Sequence, residues 1–286
     1  MPGLITVRLR YIFQIQKIAI FTGYLYTRKM NVYLVIALCF IPLILIFVLS
    51  TFFTKLKIST GIISVLFALL SVIPITFIQY LLTEFLPSDF FSSKNGIFFL
   101  FVKVLFFAGF LEESLKFLIL FLFPSKKLNL KQFMAAALIF GITLGCFESA
   151  VYYLNSLHRA QIRHAELIYS LIFTRMISSD LIHAFCAGLS AFSVFAAKNK
   201  KIYISPVIIS ILIHGIFDLF QYFDNAIKYF SIAAILFAVI ELRVKYSVLK
   251  EYFTAKTQES NPPQNKKKPY TKKKKVSQSK TKTEHE

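Results

Sequence analysis

The sequence predicts an all-α, polytopic integral membrane protein of about seven transmembrane helices. Three observations carry this. Of 286 residues, 56% are hydrophobic and 33 are phenylalanine, and mean hydropathy is +0.64, the composition of a membrane protein rather than of a soluble core. Apolar runs of about 20 residues, the length that crosses a hydrocarbon layer of about 30 Å, recur along the chain. Prolines and lysines punctuate those runs, and no internal repeat of fixed period is visible.

The runs place spans near 32–53, 59–82, 97–123, 131–154, 175–197, 202–223 and 228–249. Pro42 and Pro74 fall inside the first two and predict kinks. Pro87, Ser88 and the SSKNG stretch at 92–96 separate the second from the third, and Pro124 ends the third. Pro206 sits in the first turn of the sixth, where proline is tolerated. The segment 158–174 is long for a loop and reads as interfacial.

Lysine and arginine set the orientation. Lys55 and Lys57, then Lys126, Lys127 and Lys131, then Lys198, Lys200 and Lys201 fall on the same side as the C-terminal tail. Opposite loops carry Lys94, Arg159, Arg163 and Lys228. This predicts an external N-terminus and a cytoplasmic C-terminus.

Three regions follow: 1–29, a transmembrane domain over 30–250, and a lysine-rich tail over 251–286. The tail holds ten of the 33 basic residues against four acidic ones, and it lacks apolar residues to bury. It reads as a solvated cytoplasmic tail beside the lipid surface, with no specific nucleic acid as partner. Residues 1–29 carry Arg8, Arg10, Lys17, Arg28 and Lys29, which the positive-inside rule would not leave outside. They read either as lying upstream of a natural start at Met30 or as an amphipathic helix on the cytoplasmic face. Cys39, Cys146 and Cys186 all lie in apolar segments and form no secreted disulfide framework.

Ionisable groups occur inside the spans, where a central carboxylate costs roughly 2.5–3.5 kcal/mol on insertion scales. Glu112 and Glu113 are adjacent in the third, with Lys116 at i+4 and i+3 from them and Gly109 on the same side. In the fourth, a stripe of small residues, Ala137, Gly141, Gly145 and Ser149, invites close helix contact, and Glu148 and Tyr152 sit beside it. The fifth carries Arg175 near its start, then Asp180 and His183. The sixth carries His214 and Asp218 at i,i+4. Four such elements on consecutive spans predict one shared polar cavity.

Water activation is the chemistry these groups suit. A carboxylate in a low-dielectric pocket serves as general base, and two histidines either orient water or join a glutamate around a metal. Neither HExxH nor GxSxG is present, which excludes the ordinary zinc-protease helix and the serine elbow. A proton- or cation-coupled transporter also needs midplane carboxylates and histidines, but the chain shows no inverted repeat.

EESLK at 112–116, GITLGCFESAVYY at 141–153, HAFCAGLSAF from His183 and HGIFD at 214–218 occur in order. In these pieces the chain resembles the PrsW family of intramembrane proteases, distantly related to the CAAX prenyl endopeptidases. The resemblance implies a bacterial cytoplasmic-membrane endopeptidase that cleaves membrane-associated proteins, such as single-span anti-sigma factors. It implies catalytic roles for Glu112, Glu113, Glu148, His183, His214 and Asp218, with Lys116 and Tyr152 supporting. Asp218 stands where relatives often have Asn, and Ser149 where many have Asn after the glutamate. Under a glutamate mechanism, Glu112 or Glu113 with His183 activates water while His214 and Asp218 hold the oxyanion. Under a metal mechanism, His183, His214 and Glu113 bind zinc. The residues leave both open, with Lys116 an awkward neighbour for a cation.

Overall fold

A computed structural model describes residues 32–85, 96–158, 165–223 and 226–260. All its regular elements are helical. Residues 1–29, Pro87, Ser88, 92–95, Arg159 and Arg163, and the tail beyond Ser260, about which the sequence raises expectations, lie outside the described residues. The chain divides into two units, Met1–Lys250 and Glu251–Glu286.

The first expected span is two helices, α1 (Val32–Cys39) and α2 (Ile41–Thr54), separated at Phe40 with Pro42 in the first turn of α2. The expected kink is thus a helix break, because a proline ring fits a first turn and not an interior. The second span is α3 (Ile58–Phe85), which continues through Pro74. The third is helical but not one α-helix: α4 (Ile97–Val104), a π-helical segment (Leu105–Glu112) and α5 (Glu113–Leu122). Phe123 is extended (ψ 136°), as the residue before Pro124 must be.

Next come α6 (Leu130–His158), α7 (Ala165–Met176), α8 (Ser179–Lys198) and α9 (Ser205–Gln221), the last with Pro206 in its first turn. A 3₁₀ turn (Ala226–Phe230) leads to α10 (Ser231–Ser260). The fifth expected span begins earlier than expected: its apolar run starts at Tyr169 and bends at Ile177–Ser178 between α7 and α8.

Among the described residues, four helical runs are long and apolar enough to cross a membrane: Val32–Thr54, Ile58–Leu82, Leu130–Ser156 and Tyr169–Lys198. The expected count of seven is therefore met only in part. The third expected span is interrupted by the π segment, α9 has 17 residues, and Glu241, Arg243 and Lys245 interrupt the apolar start of α10. Large side chains such as Phe52, Phe53 and Ile73 face outward on the first two runs, as lipid contact requires.

The small-residue stripe on α6 packs on α8. A Cβ on Gly145 would lie 2.6 Å from Cα of Asp180, and one on Gly141 would collide with the backbone carbonyl of His183. Absence of side chains there lets α6 and α8 touch backbone to backbone. Gly109 in the π segment performs the same service against α9, facing the Ile211 carbonyl and Gly215. These two contacts bring the ionisable groups together.

Candidate active site

Lys116, fully buried on α5, is the centre of the cluster. Its Nζ lies 2.7 Å from Glu113 Oε1, 3.4 Å from Glu112 Oε1 and 2.8 Å from Nδ1 of His183 on α8. The π segment ends at Glu112, so the helical register changes just before this acidic pair. π-Helical insertions widen a helix locally and are frequent at functional sites. Glu112 and Glu113 thereby face different surroundings: Glu113 is wholly buried, whereas Glu112 borders a cavity.

Two histidine–carboxylate pairs flank the lysine. His183 Nε2 is 2.5 Å from Glu148 Oε2, and His214 Nδ1 is 2.7 Å from Glu113 Oε1. The rings stand edge to face, centroids 4.8 Å apart. An ammonium only donates, so Nδ1 of His183 accepts from Lys116 and Nε2–H donates to Glu148. His214 donates Nδ1–H to Glu113. In the neutral ring this leaves a lone pair on Nε2, which is buried and has no hydrogen-bond partner among the described residues.

Glu148 is held from its other side. Arg175 Nη2 is 3.4 Å from Glu148 Oε1, and its Nε donates to Ser149 Oγ at 3.0 Å. Ser149 in turn donates to Oδ1 of the buried Asp180 at 2.6 Å, and Arg175 Nη2 donates to Ser179 Oγ at 2.9 Å. The Arg175 guanidinium covers the Tyr152 ring at 3.9 Å, a cation–π contact.

A cavity of about 90 Å³ opens beside these groups, lined by Glu112, Glu148, His183 and Tyr152 together with Gln79 of α3 and Asn155. That volume holds a few waters.

Of the residues singled out from sequence, Glu112, Glu113, Lys116, Glu148, His183 and His214 therefore form one connected chain, buried except for the half-buried Glu148. Asp218 Oδ2 is 4.0 Å from His214 Nε2, beyond hydrogen-bond reach of that ring. Donor atoms of Glu112, His183 and His214 lie within 4.8 Å of one another, a grouping that could hold a metal ion, with Glu112 where the sequence reading placed Glu113. The donors suit zinc in kind: Nε2 of His214 has no partner among the described residues while Glu113 holds its other nitrogen, and Nδ1 of His183 would exchange Lys116 for the ion. Sequence reasoning missed the anchoring role of Arg175, Ser149 and Asp180, and missed Gln79. An arginine and an aspartate flanking a bend, beside a small-residue stripe, were the available signal.

Residues 57–241 match a family model described as PrsW family intramembrane metalloprotease. Searches of curated proteins and of solved structures returned no match.

Proposed function

The chain belongs to the PrsW family of intramembrane metalloproteases, and from that premise we propose that the cluster around Glu112, Glu148 and His183 is its peptidase centre. The protein is a multi-pass membrane peptidase, and its substrates are proteins of the membrane. The finer reading is a single-span substrate of the anti-sigma-factor kind. It has the chain crossing a bacterial cytoplasmic membrane seven times, N-terminus outside and C-terminus in the cytoplasm. The distribution of lysines supports that orientation.

One observation carries the assignment: ionisable side chains from α5, α6, α8 and α9 and the π segment join in one largely buried network bordering a small cavity. Each alone costs insertion energy, and together they supply a base, its orienting partners and room for the nucleophile.

Glu112 takes a proton from a cavity water, its Oε1 being 3.4 Å from both Lys116 Nζ and His183 Nδ1. The hydroxide attacks the scissile carbonyl carbon, the C–N bond breaks, and Glu112 returns the proton to the leaving amine. Glu148 accepts Nε2–H of His183 and so keeps Nδ1 turned toward Lys116 and Glu112. The oxyanion falls to donors on the cavity wall, with Gln79 and Asn155 in place. His214 and Asp218 do not line that cavity, so His214 acts here by holding Glu113. A zinc ion, when bound, would be held by Glu112, His183 and His214 and would supply Lewis acidity toward water and carbonyl.

The test uses purified protein co-reconstituted in vesicles with single-span proteins. Wild type cleaves, and Glu112→Gln and His183→Ala lose about 10²-fold or more in rate. Equal processing by all three overturns the assignment.

A further inference from the structure

Away from the cluster, at the other end of α5, the turn after α2, the turn after α5 and the end of α8 enclose a cleft of about 950 Å³. Lys55, Lys57, Lys126, Lys127 and Lys198 line it, and among the described residues its lining contains no aspartate or glutamate. Lys198 is pinned in place, donating to the Phe123 carbonyl at 2.6 Å and to Ser125 Oγ at 2.8 Å, so its neutral partners leave its charge uncompensated. Lys126 and Lys127 are exposed. Ammonium groups gathered over low-dielectric walls focus a positive potential and need a counter-anion.

We propose that this cleft binds the headgroup of an anionic glycerophospholipid. Phosphate oxygens would accept from the lysines and from Thr60, Gln132 and Asn199 on the same wall. The second half of the site is apolar. Phe121 and Leu122 line the cleft and are 46% and 74% exposed, and Leu118, one turn earlier on α5, is 56% exposed. These three, at i, i+3 and i+4, form one outward stripe leading from the cleft along the helix. A lipid uses both halves, phosphate in the cleft and acyl chain on the stripe; a free phosphate uses one. The chain's own tail has the wrong sign, ten basic residues against four acidic in 251–286. Basic pockets at helix ends are general headgroup sites.

Positive charge at a membrane face also attracts anionic lipid diffusely, so the test compares equal charge removed at two places. Native mass spectrometry of the full chain measures retention of phosphatidylglycerol against phosphatidylcholine with matched acyl chains, with inorganic phosphate and an acidic peptide as further arms. Wild type retains phosphatidylglycerol preferentially. The Lys126→Gln/Lys127→Gln double variant loses about tenfold of that preference. Lys200→Gln/Lys201→Gln, the same charge change just past the cleft, loses less than about twofold. Unchanged thermal unfolding of both variants shows that the fold is intact. Equal losses in the two variants, or no preference in wild type, overturn the proposal. So does binding of phosphate or the acidic peptide as tight as that of the lipid.

Discussion

Nζ of Lys116 lies 2.8 Å from Nδ1 of His183, 67 residues away, and this contact joins the two histidine–glutamate pairs into one network. Lys116 also compensates Glu113, whose carboxylate has, among the described residues, no other cation beside it than a protonated His214 would provide. The lysine is therefore structural before it is anything else.

Lys116→Met should strand Glu113 as an uncompensated buried charge and cost about 3–5 kcal/mol. Denaturation in detergent measures this. Adding Glu113→Gln to the same chain should recover part of the loss, because the stranded charge is then gone. A single variant as stable as wild type would refute the pairing.

Glycine substitutions separate two kinds of close contact. On Gly145 a Cβ would meet Cα of Asp180 at 2.6 Å, a backbone that cannot step aside without moving α8. On Gly188 it would meet Cδ1 of Leu242 at 2.8 Å, the tip of a flexible side chain. Gly145→Ala should therefore lose about 1–3 kcal/mol and most activity, with Gly188→Ala losing clearly less of both. Parallel unfolding and cleavage assays read the contrast, and equal effects would count against backbone contact between α6 and α8.

The same residues mark what was legible in the sequence. The bilayer demands long apolar runs and penalises every charge, so the spans near α3, α6 and α8 and the ionisable groups near α5, α6, α8 and α9 were plain. The stripe through Gly141 and Gly145 announced a close helix contact, though not that α8 is the partner. The π segment was not legible, because LFFAGFLE has the same composition whether its carbonyls bond at i+4 or i+5. That shift decides which of two adjacent glutamates meets the cavity, and spacing alone could not assign it. Arg175 sits near a span boundary, where basic residues are ordinary, and only the bend before Ser179 turns it back toward Glu148.

Arg175 should be a positioning residue for catalysis. It touches Glu148 and Ser149, which hold His183 and Asp180. Arg175→Met should lower kcat by about 10–100-fold with KM little changed, the size of effect seen when an outer partner of a working histidine is lost. Arg175→Lys keeps the charge but not the two-sided fork, and should rescue only in part. A change confined to KM, or equal activity of both variants, would move Arg175 out of the machinery.

Metal retention tests the donor set independently of turnover. Glu112, His183 and His214 bring three donor atoms within 4.8 Å of one another, while Asp218 stands 4.0 Å from His214 Nε2 and outside that group. Protein loaded with zinc, passed over a desalting column and assayed by elemental analysis should keep one ion per chain. His214→Ala should lose it, since Nε2 of that ring is the donor with no competing partner. Glu112→Gln should weaken retention by replacing a charged ligand with a neutral one. Asp218→Asn should retain as wild type does, and Glu113→Gln should fall between, because it removes the acceptor that orients His214 without removing a donor. Retention that depends on Asp218 and not on Glu112 would move the ion toward Asp218, away from Glu112 and His183, and redraw the site.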